Sequence, residues 1–158
     1  MSKPYAIGTN VASSRSTAEI QTMLQRRGVT KFATFHELHQ ASIAFEYEGV
    51  PYRISLPLPE PTDKKFTRTP TGRTREQSAV YTDFDNECNR RWRAFLNVIK
   101  ARLIAVEEGI TTMSVEFIGA VVLPSGRTVS ETYSENLPQL ALSGRLEPLS
   151  LGGRGSTS

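Results

Sequence analysis

The stretch Ser42-Ile43-Ala44-Phe45-Glu46-Tyr47-Glu48-Gly49-Val50-Pro51-Tyr52-Arg53-Ile54-Ser55-Leu56 decides the fold class. Its first seven residues alternate, with Ile43, Phe45 and Tyr47 on one side and Ala44, Glu46 and Glu48 on the other. A period of two is the mark of a strand with one covered and one wet face. Gly49-Val50-Pro51 then reads as a tight connection, after which Tyr52, Ile54 and Leu56 line one face of a second alternating run. Two such runs joined by a glycine-containing turn predict an antiparallel hairpin.

Upstream, Lys31–Phe35 carries Phe32 and Phe35 and supplies a third short strand, completing a three-stranded meander. Before it, Ser16 and Glu19 are spaced as a capping box, so a helix is expected to start at Ser16. Ile20, Met23 and Leu24 form its apolar face, and Arg26, Arg27 and Gly28 give it a cationic last turn and a terminating glycine. Residues 1–15 show no periodicity and read as an irregular arm.

Downstream, Pro57, Pro59 and Pro61 stop the third strand, because proline cannot donate to a ladder. Residues 57–73 read as a long, extended, mobile connection, a kind of segment that in compact domains is functional or disordered. A long amphipathic helix from about Thr74 to Glu108 follows. Tyr81, Phe84, Cys88, Trp92, Phe95, Ile99, Leu103 and Val106 recur at spacings of three and four, and Gly109 closes the pattern. Such a helix would run roughly 50 Å, so either it breaks near Asp83–Glu87 or one end projects toward a partner. Beyond it, Thr111 or Thr112 could cap a helix through Val122, although Val115–Ile118 and Ala120–Leu123 also suit strands. A last helix is expected from Ser130 toward Leu142, interrupted at Pro138, with 151–158 a disordered tail. The resulting expectation is a single α+β domain over residues 1–150: an N-terminal helix, a three-stranded antiparallel meander packed on a long amphipathic helix, and a smaller C-terminal helical segment.

The chain has 158 residues, a formal net charge of +3 and one cysteine. One cysteine excludes an intramolecular disulfide framework and any multi-cysteine zinc site. No apolar run is long enough to span a bilayer, and the first residues lack the apolar stretch of a secretory signal. The expectation is a soluble protein of a reducing compartment, with no membrane partner.

Catalytic constellations are sparse. No phosphate-binding glycine loop, dinucleotide fingerprint, zincin motif or nucleophile elbow occurs. His36 and His39 read as turn histidines, and Cys88 lies on the apolar stripe, where cysteine acts as a small hydrophobe. Asp83, Asp85 and Glu87 alternate along a helix and so do not share a face, while Glu46 and Glu48 share the wet face of a strand and form at most an incomplete Mg²⁺ site. No enzyme, cofactor or metal is expected.

The placement of charge is more informative than its total. Residues 61–75 hold five basic groups (Lys64, Lys65, Arg68, Arg73, Arg75) against Asp63 alone. On the long helix, Asn86, Asn89, Arg90, Arg93, Asn97 and Lys100 form a stripe about 100° wide, opposite Trp92 and Ile99, and no acid enters it until Glu107. Ordinary solvated faces interleave Glu with Lys or Arg at i,i+4, and this one does not. Arg, Lys and Asn are the side chains that contact phosphates and base edges. The expected nucleic-acid site is therefore Arg90, Arg93, Asn97 and Lys100, joined from the loop by Lys64, Lys65, Arg68 and Arg73, with Phe66 available to stack on a base.

Ser16–Ile20, Ile54–Pro59, Arg90–Phe95, Val98–Ala101 and Val122–Val129 together resemble a group of small, uncharacterised proteins encoded by tailed bacteriophages and prophages. That resemblance implies the cytoplasm of an infected or lysogenic bacterium. In architecture alone, a helix, a meander and a long crossing helix look like the core of the Redβ-type single-strand annealing proteins, which form rings and bind DNA along a basic groove. The resemblance implies a homo-oligomer that binds single-stranded DNA without catalysis. The alternative is an interaction module whose basic surface meets an acidic protein surface: an inhibitor of a host defence or host enzyme, or a virion assembly factor.

Overall fold

A computed structural model of the chain describes residues 11–143. The remainder of the expected N-terminal arm, and the expected tail at 151–158, lie outside the described residues.

The first helix, α1 (Val11–Gln25), begins before the expected cap. Ser16 lies inside it, in a stretch where neighbouring threonine hydroxyls bond back to the preceding turn. Thr17 Oγ1 donates to the Ser13 carbonyl at 2.7 Å and Thr22 Oγ1 to that of Ala18 at 2.9 Å. Ser13, Ile20 and Leu24 make the buried face. The end matches expectation: Gly28 takes φ +92°, its N–H donates to the Gln25 carbonyl, and that of Val29 donates to the Leu24 carbonyl. This is a Schellman termination, completed by the buried pair Leu24 and Val29.

The meander comprises β1 (Lys31–His36), β2 (Gln40–Tyr47) and β3 (Val50–Pro57), antiparallel in the order β1-β2-β3. Its turn starts one residue earlier than the sequence suggests and is one residue shorter. Tyr47 pairs with Val50, leaving Glu48 (φ +49°) and Gly49 (φ +79°) as a two-residue type I′ loop. Pro51 is tolerated within β3 because it sits opposite Glu46 at a position that needs no N–H toward β2. Phe32, Phe45 and Tyr52 share the inner face, with Thr34, Ile43 and Ile54 beside them. Phe45 stacks on Tyr52 at 5.0 Å and meets the edge of Phe117 at 5.9 Å.

The long helix, which takes the label α3 because a short helix precedes it, runs unbroken over Gln77–Glu107. Its 31 residues span about 46 Å. Phe84, Cys88, Trp92 and Ile99 are buried against the sheet and α1. The acids expected to break it are instead fastened to it: Arg75 holds Asp83 at 2.6 Å, and Glu87 takes three cations. Nor does its N-terminal half project, because residues 57–75 fold over it. Within them, α2 (Lys64–Thr67) presents Phe66, 5% exposed, edge-on to Phe84 at 5.8 Å. Leu58 is buried too, Arg68 bridges to Thr74, and Arg75 donates to the Phe66 carbonyl at 3.0 Å. The expected extended connection is thus a folded flap, pinned by apolar burial that its proline content had obscured.

After a second Schellman end at Gly109 (φ +71°), both readings of residues 111–123 are partly realised. Thr112 caps α4 (Met113–Glu116), a 3₁₀ turn follows at Ile118–Ala120, and Val121 and Val122 then bridge to Tyr52 and Thr128. The capping box expected at Ser16 occurs instead at Thr128 and Glu131, opening α5 (Val129–Tyr133). Arg53 of β3 holds Glu131 at 2.9 Å. A 3₁₀ turn leads to α6 (Leu137–Ser143), so the expected last helix is divided ahead of Pro138.

Candidate nucleic-acid interface

The outward face of α3 follows from its buried one. With Trp92 and Ile99 turned inward, Arg90, Arg93, Asn97 and Lys100 are all exposed, as is Asn86. Asn89 belongs to the flank instead: it is half-buried, and among the described residues its Oδ1 lacks a hydrogen-bond partner, as does the Nε1 of Trp92. Ala94 and Ala101 are exposed between the cations, together with Val98 and Ile104. Arg90 and Lys100 stand about 15 Å apart along the axis.

These cations differ in how far they are committed. Arg93 and Lys100 have no ion-pair partner among the described residues. Arg90 pairs with Glu87, which also takes Arg91 Nε at 3.2 Å and Lys65 Nζ at 3.6 Å. Burial of the Glu87 side chain pushes its carboxyl upward, but the hydrogen bond from Arg91 and the charges of Lys65 and Arg90 outweigh this and hold it below the usual carboxylate range. Arg91 also donates to the Pro57 carbonyl at 2.9 Å and so serves the fold.

Glu87 is where the two basic regions meet. Lys64, Lys65, Arg68 and Arg75 line a shallow depression of about 510 Å³ with Thr69 and Pro70. Lys65 reaches from it to the Glu87 carboxylate that also holds Arg90. A band therefore runs from Lys64 and Lys65, past Arg90, to Arg93, Asn97 and Lys100. Arg68 is braced by the Gly72 carbonyl and Thr74 Oγ1. Arg73 lies at the tip of the flap and does not line the depression.

Two expectations about this surface change. Phe66 cannot stack on a base, because its ring is packed against Phe84 with Lys65 Nζ 4.7 Å from its centroid. Two further cations also join the far end, where a depression of about 390 Å³ between α1 and α3 is lined by Arg26, Arg27, Lys100 and Glu107 among others. Arg27 is tied to Glu107 at 2.6 Å, whereas Arg26 has no ion-pair partner among the described residues. Nothing in the sequence joins residue 26 to residue 100; only the packing of α1 on α3 does.

The remaining chemical candidates have structural neighbours. Glu46 is paired with Lys31, and Glu48 sits in the type I′ turn, so the two do not form a shared site. His39 Nδ1 lies 3.1 Å from Glu60, and the His36 ring packs 6.0 Å from Trp92. Among the described residues no three His, Cys, Asp or Glu side chains are grouped to hold a metal ion, and no helix is long and apolar enough to cross a membrane. The Cys88 thiol is pushed up to about 11 by burial and by the charge of Asp85, the opposite of what a nucleophile requires.

No family model matches the chain, and no curated protein or solved structure matches it.

Proposed function

We propose that the chain is a non-catalytic binding protein for single-stranded DNA, acting as an annealing or recombination accessory in phage DNA metabolism within a bacterial host. The observation that carries this reading is the outward face of α3 between Glu87 and Glu107, where Arg93 and Lys100 are exposed and uncommitted and no acid intervenes. Polyanion binding by such a row gains from release of condensed counterions and falls steeply with salt. With Phe66 in the core, the band offers phosphate contacts without an aromatic platform, so sequence discrimination should be weak.

The test is a fluorescence-anisotropy titration with labelled oligonucleotides over a series of salt concentrations. Binding that weakens steadily with salt supports the proposal, and no binding at low salt overturns it. One observation favours a second reading, an acidic protein surface as partner: Val98 and Ile104 are 49% and 48% exposed among the cations, which suits an apolar contact as well as a charged one. A pull-down from host lysate with and without nuclease treatment separates the two, because only a protein partner survives nuclease.

A further inference from the structure

The sheet has two edges, and the described residues pair along only one of them. Along β3, the Val122 N–H donates to the Pro51 carbonyl at 2.9 Å, and Val121 bridges to Tyr52. Along β1 no strand pairs with the outer edge among the described residues. Exposed edges are ordinarily blunted by a bulge, a proline or a charge in mid-strand. β1 has none of these: it keeps six consecutive pairs with β2, and its one formal charge is Lys31 at the first residue. Phe35 on its outer face is 51% exposed, and Phe32 on its inner face is only partly covered.

The groups that β1 leaves unpaired can be identified. In an antiparallel ladder each residue turns both its N–H and its C=O to the same side, and successive residues alternate. Glu37 donates to the Gln40 carbonyl at 2.8 Å, so Glu37, Phe35, Ala33 and Lys31 turn toward β2. The opposite edge gives the same parity. Pro51 spends its carbonyl on Val122, so its pair with Glu46 is not hydrogen-bonded and Glu46 turns toward Lys31. The groups facing outward are therefore those of Phe32, Thr34 and His36.

We infer that two copies of the chain associate through β1, antiparallel and with Thr34 on the two-fold axis, to make one continuous six-stranded sheet. This register sets Thr34 against Thr34 of the second copy and Phe32 against His36, so all three outward residues exchange both backbone bonds. The side chains agree with it. Phe35 falls opposite Ala33, the Phe32 and His36 rings pair on the inner face, the two threonines meet on the axis, and Lys31, which also pairs with Glu46 of its own copy, falls opposite Glu37 of the second copy, which also accepts from Gln40. The ring pair, the threonine pair and the opposite charges are cross-strand pairings that stabilise sheets. Moving the axis to Ala33 would leave His36 without a partner within the strand and would set Lys31 against Phe35. The inference goes beyond the nucleic-acid reading and does not depend on it.

The test is sedimentation equilibrium of the full chain over a concentration series, with circular dichroism and Trp92 emission as controls for folding. The unaltered chain should be a dimer at the upper end. Thr34→Pro removes an N–H that faces away from β2, so it should leave the fold intact and yield a monomer. Lys31→Glu and Glu37→Lys, each setting two like-charge pairs across the axis, should each raise the dimer dissociation constant about tenfold. The double reversal should restore it, which an unrelated occupant of the edge would not produce. A chain monomeric at every concentration, a dimer that survives Thr34→Pro in a folded protein, or a double reversal no better than the single ones would overturn the inference. Should Thr34→Pro fail to fold, the charge-reversal set decides alone.

Discussion

Replacing Phe66 by alanine separates two roles for one aromatic ring. As a stacking platform it would be dispensable to the fold, and its loss would weaken oligonucleotide binding by about 1–3 kcal/mol per stacked base. Its surroundings assign the other role: 5% exposed, edge-on to Phe84 at 5.8 Å, and the sole buried side chain of α2. Removing the ring forfeits about 2 kcal/mol of apolar burial and about 1 kcal/mol of aromatic pairing. The total of about 3 kcal/mol falls at the low end for Phe→Ala because the flap can settle onto the space left behind. For a chain of this size that lowers the melting temperature by about 10 °C. Thermal melts followed by circular dichroism measure it, with Phe66→Leu recovering more than half of the loss. A Phe66→Ala variant that melts with the unaltered protein, yet loses oligonucleotide affinity at an unchanged salt slope, would refute the packing argument and return the ring to the binding site.

Three further outcomes are expected. Arg93→Ala with Lys100→Ala removes the two uncommitted cations of α3, so the slope of log affinity against log salt should fall in magnitude by about 1.4 while urea stability stays unchanged. Glu87→Gln should flatten the acid limb of a stability–pH curve. The Glu87 carboxyl titrates below its unfolded value of 4.5, so its stabilisation is complete above that value and is lost as the pH falls through the folded one. The same substitution releases Lys65 and Arg90 and should tighten oligonucleotide binding in the anisotropy assay. Cys88, buried with its thiol at about 11, should resist aromatic disulfide reagents in the native state and react at the rate of unfolding, monitored by thiolate release.

Features that depend on one repeating physical rule were legible before the structure. Alternation in Ser42–Glu48 gave the buried face of β2, and the three-and-four spacing from Phe84 to Leu103 gave the core stripe of α3 together with its outward cations. Punctuation was less legible, because a capping box is two residues in a pattern that serine and glutamate often satisfy. Ser16 and Glu19 fit it inside a helix, while Thr128 and Glu131 form the working one. Pro51 was read as part of the turn because its place in an edge strand, opposite Glu46, was not visible. The flap was misread for a related reason: one phenylalanine among prolines shows no period, and its partner Phe84 lies on another element. The site divided along the same line. Arg90, Arg93, Asn97 and Lys100 follow from helical geometry, whereas the junction at Glu87 and the arrival of Arg26 beside Lys100 are tertiary events.

The two-residue turn at Glu48-Gly49 has a kinetic consequence. Among the described residues both ladders of the meander join strands that are neighbours in the chain, so it closes only short loops, whereas seating the end of α1 against α3 brings together residues as distant as Arg27 and Glu107, 80 positions apart. The sheet can thus assemble early and wait for its helices. The left-handed backbone of Glu48 costs about 1 kcal/mol that a glycine would not incur, and that cost falls on the β2–β3 hairpin. Relieving it would quicken folding more than it slowed unfolding. During that wait the inner face of the sheet and the bare edge of β1 stand open together, making the interval before α3 docks the one in which this chain is most exposed to pairing with the wrong strand.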